Sequence, residues 1–257
     1  MAKIIDLNSD LGESFGAWKM GMDDKIVPLV TSANVACGFH AGDWTVMHKT
    51  VKLALESNTA VGAHPGLPDL QGFGRRKLEV TPEETYDIMV YQIGALASFA
   101  AAAGTKLQHV KPHGAIYNMA AKDAKLAEAI AQAVYDVDKE LILYALAGSE
   151  SVKAAQKIGL PVASEVFADR SYQEDGSLTP RKLPGAMITD EAASIKQVLG
   201  MILDKQVTCL SGKVIPVQAD TLCVHGDGAK ALLFVEKIRT ALQENGIEIA
   251  PTGKFIK

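Results

Sequence analysis

Short apolar runs typical of β-strands recur along the chain, and most of them are followed by a stretch with the 3.6-residue periodicity of an amphipathic helix. The strand-like runs lie near residues 2–8, 31–37, 59–63, 107–111, 141–146, 162–167 and 220–224. The stretches with helical periodicity are 43–57, 81–103, 123–138, 149–158, 190–205 and 226–244. This alternation predicts a parallel sheet covered by helices.

Local signals mark where several of these helices begin. Thr81, followed by Pro82 and two glutamates, supplies an N-cap, a first-turn proline and an acidic first turn. Asp43 precedes the first helix, and Thr189 or Asp190 precedes the fifth. The alternations suit either a distorted, incompletely closed barrel or a doubly wound sheet, and we favour the barrel. We therefore expect an α/β fold, namely an irregular seven-stranded parallel β/α barrel.

Length and composition bound the domain count and the compartment. A chain of 257 residues with 48% hydrophobic content can bury a large core, so we expect a single domain spanning 1–257. The amino terminus lacks the pattern of a signal peptide, and no apolar run reaches about 18 residues. The three cysteines have neither metal-type spacing nor the even count of a disulfide framework. We expect a cytoplasmic protein that does not enter a membrane.

The charge of the chain indicates what kind of partner it binds. The formal net charge is −4, and no block of lysine and arginine is present. A surface that binds nucleic acid through phosphate neutralisation is therefore not expected, and a small-molecule substrate is the better interpretation.

Polar residues gather where four of the apolar runs end, in clusters at 6–13, 34–43, 62–66 and 111–114. The carboxyl ends of parallel strands meet at one edge of the sheet, where α/β folds place their active sites. The sequence thus predicts one catalytic pocket assembled from distant segments. The candidate catalytic residues are Asp10, Glu13, His40, His64, Lys111 and His113; the candidate substrate-binding residues are Asn8, Asn34, Asp43, Arg75, Asp169, Arg170 and Tyr172.

Each candidate has a chemical reason and a structural alternative. Carboxylates held close together, as at Asp10 and Glu13, raise one another's pKa, although Asx-turns and a helix cap would also explain an acidic loop. His64 precedes a proline that fixes the chain where the imidazole is presented, which suits a general base or a metal ligand. Lys111 at a strand end can bind an anion or polarise a carbonyl, and His113 can move a proton beside it.

Two long loops, 64–80 and 168–185, are expected to cover the strand ends. Arg75 or Arg76 in the first loop suits closure over an anionic substrate, and Asp169, Arg170 and Tyr172 in the second add a carboxylate clamp. A solvated basic loop is the competing interpretation of the arginines.

A metal ion and a nucleotide are the two candidate cofactors. His40, His64 and a carboxylate from Asp10 or Glu13 would suit zinc or a related divalent ion, but we favour metal-free acid–base chemistry because no local His-x-x-x-His pair is present. No P-loop motif occurs, and the glycine turn at 226–228 lacks the full dinucleotide pattern. If ATP is used, a partner chain supplies much of its site.

These clusters, together with Asp169, Arg170 and Tyr172, resemble the LamB/YcsF family of lactam-utilisation proteins over essentially the whole chain. The resemblance implies a fold similar to the barrels of the glycoside hydrolase/deacetylase group. It also implies one component of an ATP-dependent 5-oxoprolinase, which acts with subunits B and C to open 5-oxo-L-proline to L-glutamate. The positions that match the family's clusters are Asp10, Glu13, His40, Asp43, His64, Lys111 and His113.

Two alternatives stay open at this point. The deacetylases of that fold use an Asp-His-His metal site, so a stand-alone metal-dependent amide hydrolase or deacetylase competes, although the paired-histidine helix motif is missing here. A non-catalytic subunit that binds a lactam and regulates its partners is the second alternative. Self-association into a homo-oligomer is compatible with either.

Overall fold

The computed structural model describes residues 3–224 and 231–257. Its strands are β1 Lys3–Leu11, β2 Ser32–Ala36, β3 Ala60–His64, β4 His109–Val110, β5 Ile142–Leu146, β6 Val162–Phe167, β7 Gln206–Thr208, β8 Val214–Pro216, β9 Thr221–Cys223 and β10 Ile247–Ile249. Its α-helices are α1 Asp23–Ile26, α2 Trp44–Glu56, α3 Pro82–Ala102, α4 Gly114–Ala120, α5 Ala124–Val137, α6 Glu150–Ile158, α7 Glu191–Leu199 and α8 Ala231–Glu244.

Seven of these strands form a closed parallel barrel in the order β1-β2-β3-β4-β5-β6-β9, with β9 paired to both β6 and β1. The barrel prediction is confirmed, but the expectation of incomplete closure is wrong. Strand β1 explains the closure, because its nine residues serve three neighbours in succession. Its first part pairs with β10, its middle with β9 and its last part with β2. The irregularity lies instead at β4, which has only two residues.

The helix boundaries follow their local signals. Thr81 forms a capping box with Glu84, and Asp43 and Asp190 accept hydrogen bonds from the first turns of α2 and α7. Helix α7 continues into a π-helical turn at Gly200–Asp204, which completes the predicted 190–205 segment. The first residues of the predicted 226–244 helix, with the glycine turn before it, lie outside the described residues. The patterns did not predict α1, α4, the antiparallel hairpin β7–β8 or β10.

The apolar core lies between the strands and the surrounding helices, and it includes the buried Ile5 and Leu7 of β1. The alternate residues of the same strand, Asp6 and Asn8, are also fully buried and face the barrel interior, since successive side chains of a strand point to opposite faces. The interior of this barrel therefore holds buried polar side chains that bond to one another. No helix within the described ranges combines the length and the apolar character needed to cross a lipid bilayer.

Candidate active site

A cavity of about 1220 Å³ opens at the carboxyl ends of the strands. Four of the predicted catalytic residues line it from β1, β3 and the segment after β4, and the two long loops line it as predicted. The lining includes Asp10, His64, Arg75, Lys111, His113, Tyr117, Phe167, Arg170 and Arg181. The structure thus brings these residues from distant segments together at one cavity.

Lys111 lies at the floor of this cavity between two carboxylates. Its Nζ is 2.8 Å from Asp10 Oδ1, 2.9 Å from Glu165 Oε1 and 3.1 Å from Cys223 Sγ. Burial by itself lowers the pKa of the ammonium, but the negative charges of Asp10 and Glu165 outweigh it and hold the pKa well above its usual value. Lys111 therefore presents a fixed positive charge to the cavity.

Glu165 is the partner of Lys111 that the sequence interpretation missed. It is fully buried on β6, and its Oε2 accepts a hydrogen bond of 2.7 Å from Tyr117. The available signal was a lone glutamate within an apolar strand, since a charged side chain is almost never fully buried without a partner.

Three histidines stand beside the lysine. His64 Nδ1 lies 2.6 Å from the carbonyl oxygen of Lys111, and His113 Nε2 lies 2.8 Å from that of Phe73. A carbonyl only accepts, so both of these ring nitrogens carry a proton, and in the neutral imidazoles the opposite nitrogens present lone pairs. The two lone-pair nitrogens, His64 Nε2 and His113 Nδ1, are 2.9 Å apart.

The third imidazole, His40, stacks on His113 at a centroid distance of 3.7 Å. Burial, followed by the nearby imidazoles, holds the pKa of both rings well below the usual histidine value. Both are neutral at neutral pH and offer lone pairs rather than charge.

Two carboxylates face these rings. Asp10 Oδ2 is 3.3 Å from His64 Nε2, and Glu13 Oε1 is 3.4 Å from His40 Nε2 and 3.6 Å from His113 Nδ1. One ligand atom from each of Glu13, His40, His64 and His113 lies within 4.8 Å of all the others. This set contains the predicted His40 and His64 with Glu13, one of the two carboxylates considered for the site; Asp10, the other, is not part of it, and His113 is added.

Two glycines make room for the rings. A Cβ at Gly66 would lie 2.6 Å from His40 Nδ1. A Cβ at Gly74 would lie 2.7 Å from His40 Cβ and 2.8 Å from His113 Cδ2, and the φ of +62° at Gly74 also favours glycine. The first long loop is therefore shaped to press its backbone against the imidazoles.

Asn8 and Asn34 lie beneath the floor, fully buried, rather than in the lining. Asn34 Nδ2 donates to Asn8 Oδ1 and to Asp10 Oδ1, both at 2.8 Å. The buried His109 lies 2.7 Å through Nε2 from Asn34 Oδ1, and burial and then the Lys111 charge lower its pKa to about 3. These residues position Asp10 and Lys111.

The remaining predicted binding residues divide by position. Arg75 and Arg170 line the cavity, and burial lowers the pKa of Arg170 to about 10. Asp43 is engaged as the cap of α2, with its carboxylate also accepting a bond from Gly16 N at 2.7 Å. Tyr172 is buried and accepts a hydrogen bond from Phe167 N, while Asp169 lies next to Arg170 outside the lining.

Comparison with known proteins decides the family. The model of the LamB/YcsF family matches residues 5–257. This chain belongs to the LamB/YcsF family. The resemblance drawn from the polar clusters is thereby confirmed.

Relatives of this LamB/YcsF protein carry informative names. The A subunit of 5-oxoprolinase from Clostridium beijerinckii is 60% identical over 251 residues, which are 98% of each chain. The lactam utilization protein of Thermus thermophilus superposes with a TM-score of 0.90 at 46% identity, covering 96% of this chain and 99% of that one. The T48 deacetylase shares the fold alone, with a TM-score of 0.50 at 13% identity over 100% of this chain and 94% of that one. The predicted likeness to deacetylase barrels is confirmed.

Proposed function

We propose that this LamB/YcsF protein is the A subunit of a 5-oxoprolinase, which opens the lactam ring of 5-oxo-L-proline to give L-glutamate. The observation that carries the proposal is the cavity floor, where the Lys111 ammonium lies between Asp10 and Glu165 and beside the lone pairs of His64 and His113. The name of the 60% identical relative, the A subunit of 5-oxoprolinase, supplies the substrate.

The substrate explains why partners and ATP belong to the proposal. A five-membered lactam is a resonance-stabilised amide, so its carbonyl carbon is a poor electrophile and its nitrogen a poor leaving group. Transfer of the terminal phosphoryl group of ATP to the lactam oxygen removes both obstacles. We assign this step to a complex with subunits B and C, which hold most of the ATP site.

The present chain then binds the activated ring and directs water to it. Water attacks the ring carbon, the carbon–nitrogen bond breaks, and the nitrogen takes up a proton. A second water releases phosphate from the acyl phosphate and gives glutamate. These steps need an oriented water, a proton acceptor and a positive charge near the reacting oxygen.

The cavity floor offers each of these groups. His64 and His113 orient the attacking water, Asp10 takes its proton, and Lys111 offsets the negative charge of the phosphoryl group carried by the ring oxygen. Arg75 and Arg170 at the wall suit the carboxylate of 5-oxoproline. The group formed by Glu13 and the three histidines fits a divalent cation, which, when bound, supplies a water of lowered pKa.

The cytoplasm is the compartment we assign to this complex. Cys37, Cys209 and Cys223 are all buried free thiols, as a reducing compartment allows. Burial raises the pKa of Cys37 to about 12, so this thiol is inert rather than catalytic.

Glutamate formation from 5-oxoproline and ATP tests the proposal. The chain alone, the candidate B and C subunits alone, and all three together are compared, and we expect activity only in the full mixture. Asp10→Asn in the mixture should lower turnover roughly 10²-fold or more, while His48→Ala on the exposed face of α2 should leave it unchanged.

Three other results would contradict the proposal, each in its own way. Amide hydrolysis by the chain alone would favour the stand-alone metal-dependent hydrolase, to which the Glu13 and histidine cluster also points. Full turnover of the Asp10→Asn mixture would favour a regulatory role. Absence of glutamate in every mixture of folded subunits would refute the 5-oxoprolinase assignment itself.

A further inference from the structure

The geometry points to a binding site for one divalent transition-metal ion, formed by Glu13 and His40 together with His64 and His113 of the cavity lining. The site belongs to the chain by itself, so its existence does not depend on the proposed lactam reaction. Three independent observations support it.

The first observation is the pairing of two lone pairs. The backbone carbonyls of Lys111 and Phe73 fix the protons of His64 and His113 on their far nitrogens. The near nitrogens are left as acceptors 2.9 Å apart, and two acceptors at that distance repel unless a cation lies between or beside them. Metal-bound histidines are commonly held in this way, with the second ring nitrogen donating to a carbonyl.

The second observation is the state of His40. The side chain is fully buried, and neither ring nitrogen has a hydrogen-bond partner among the described residues. A buried imidazole without a partner is unfavourable, so an unsatisfied ring in a native structure calls for a ligand. Glu13 Oε1, 3.4 Å from Nε2, lies on the side where an ion would be shared.

The third observation is the backbone that holds the ring. His40 is fixed by contact with Gly66 and Gly74, where any Cβ would overlap it. An imidazole is thus pressed into a position that gives it no hydrogen bond from the described part of the protein. The two glycines therefore fix the His40 ring in place without giving its nitrogens a hydrogen-bond partner.

The distances suit an ion. Metal–nitrogen bonds are about 2.0–2.1 Å, so ligands on opposite sides of an ion are roughly 4.2 Å apart and neighbouring ligands are closer. The separations from His64 to His113, from Glu13 to His40 and from Glu13 to His113 are 2.9, 3.4 and 3.6 Å. The widest separation in the group, at most 4.8 Å, requires only a small inward shift.

A shared proton is the competing occupant, and the number of donors argues against it. One proton between His64 and His113 would satisfy two nitrogens and leave His40 as it is. A metal ion satisfies all four donors at once. Three imidazoles and one carboxylate suit zinc, iron, cobalt or nickel, and a five- or six-coordinate ion would keep a position open for water.

Metal uptake by the chain alone tests the inference. Protein without a histidine tag is stripped with a chelator, dialysed and titrated with Co²⁺ and Zn²⁺ by calorimetry, and the visible absorption of bound Co²⁺ is recorded. We expect one equivalent per chain and a rise in melting temperature on binding. Glu13→Gln, His40→Ala and His113→Ala should each weaken binding at least about 100-fold, since losing a ligand exceeds the 10–100-fold effect of losing an outer partner.

His48→Ala is the matched control, because this histidine lies exposed on α2 and outside the group. It should bind as the wild type does. The inference is overturned if the wild type takes up no ion at millimolar concentration, which is the result a shared proton predicts, or if the ligand variants retain wild-type affinity. Circular dichroism identifies any variant that fails to fold. If the two alanine variants do not fold, the titrations of the wild type and of the isosteric Glu13→Gln still test the metal site.

The result of this metal-binding test does not depend on whether the proposed function is correct. Binding is measured without substrate, ATP or partner subunits. If the chain binds the ion but the mixture yields no glutamate, the metal site is supported and the 5-oxoprolinase assignment is refuted. If the chain binds no ion but the mixture is active, the assignment is supported and the metal site is refuted.

Discussion

Each end of the barrel holds a carboxylate from β1, and the two ends surround that carboxylate in opposite ways. At the amino end, Asp6 accepts hydrogen bonds from four hydroxyl groups. They belong to Thr31, Ser32, Tyr144 and Thr221, at 2.7, 2.7, 3.1 and 2.5 Å. At the carboxyl end, Asp10 faces a buried ammonium, an imidazole lone pair and the cavity.

This difference assigns the amino end of the barrel to stability and the carboxyl end to chemistry. Hydroxyl groups turn to satisfy a carboxylate and leave nothing unmatched, so the Asp6 end is a structural network. At the Asp10 end, acceptors face acceptors at His64 and His113, and His40 has no hydrogen-bond partner among the described residues. Unsatisfied groups beside a cavity are what a binding site for substrate or ion requires.

The largest effect is expected at the carboxyl end, from Lys111→Met. The change leaves the fully buried Glu165 and the partly buried Asp10 facing each other without their cation. We expect the free energy of unfolding in urea to fall by about 3–5 kcal/mol. Lys111→Met combined with Glu165→Gln should recover part of that loss; a double variant no more stable than the single one would contradict the pairing.

His64→Ala should act on turnover rather than on stability. The lone pair of Nε2 disappears, and with it one of the groups that orients water beside Asp10. We expect glutamate formation by the reconstituted complex to fall about 10³-fold. The exposed His48→Ala serves as the control, and equal activity of the two variants would remove His64 from the reaction.

Gly62→Ala should disturb the layer that joins the two ends. A Cβ there would lie 2.1 Å from His109 Nε2, and that ring is held between Asn34 and the stacked Tyr144. We expect a loss of about 3 kcal/mol in the free energy of unfolding. Gly94→Ala in α3, where an added Cβ meets nothing within 4 Å, should instead stabilise by about 0.5–1 kcal/mol. Similar effects of the two changes would contradict the close packing of His109.

A smaller, pH-dependent effect is expected from Asp6. Burial raises the pKa of this carboxyl above 3.8 despite its four hydrogen bonds. An acid whose pKa is raised by folding contributes stability that is present below its unfolded pKa and is lost as the pH rises through the folded pKa. The wild type should therefore lose stability relative to Asp6→Asn as the pH rises above about 4, by at most about 1.4 kcal/mol per pH unit. Urea unfolding from pH 4 to 7 measures this difference, and a constant difference would contradict a raised pKa.

The fold could be predicted where local signals were strong. The seven barrel strands and the capped helices follow from apolar runs and from residues such as Thr81 and Asp43. The hairpin β7–β8 and the strand β10 could not be predicted, because these short strands form only by pairing with tertiary partners, whereas the equally short β4 and β9 lie inside longer predicted runs. Closure of the barrel depends on the stagger of β1, which no periodicity records.

Individual residues of the site could be predicted from the sequence, but the contacts between them could not. Strand ends identified Asp10, His64 and Lys111, since parallel strands present their carboxyl ends together. The position of Glu13 beside His40 depends on the turn at Gly12, whose φ is +69°. Glu165 was missed because one glutamate in an apolar strand indicates a buried partner but does not identify Lys111 as that partner. Long-range contacts, rather than local sequence, decide which acid meets which base.

The same substitution at the two ends, Asp6→Asn and Asp10→Asn, tests the central claim most directly. The two residues lie four positions apart on one strand, and both changes remove one charge with little change in shape. Turnover by the reconstituted complex, measured per folded molecule, should be retained in Asp6→Asn and fall roughly 10²-fold or more in Asp10→Asn. Equal losses in both variants, or a loss confined to Asp6→Asn, would contradict the division of the barrel into a structural end and a reactive end.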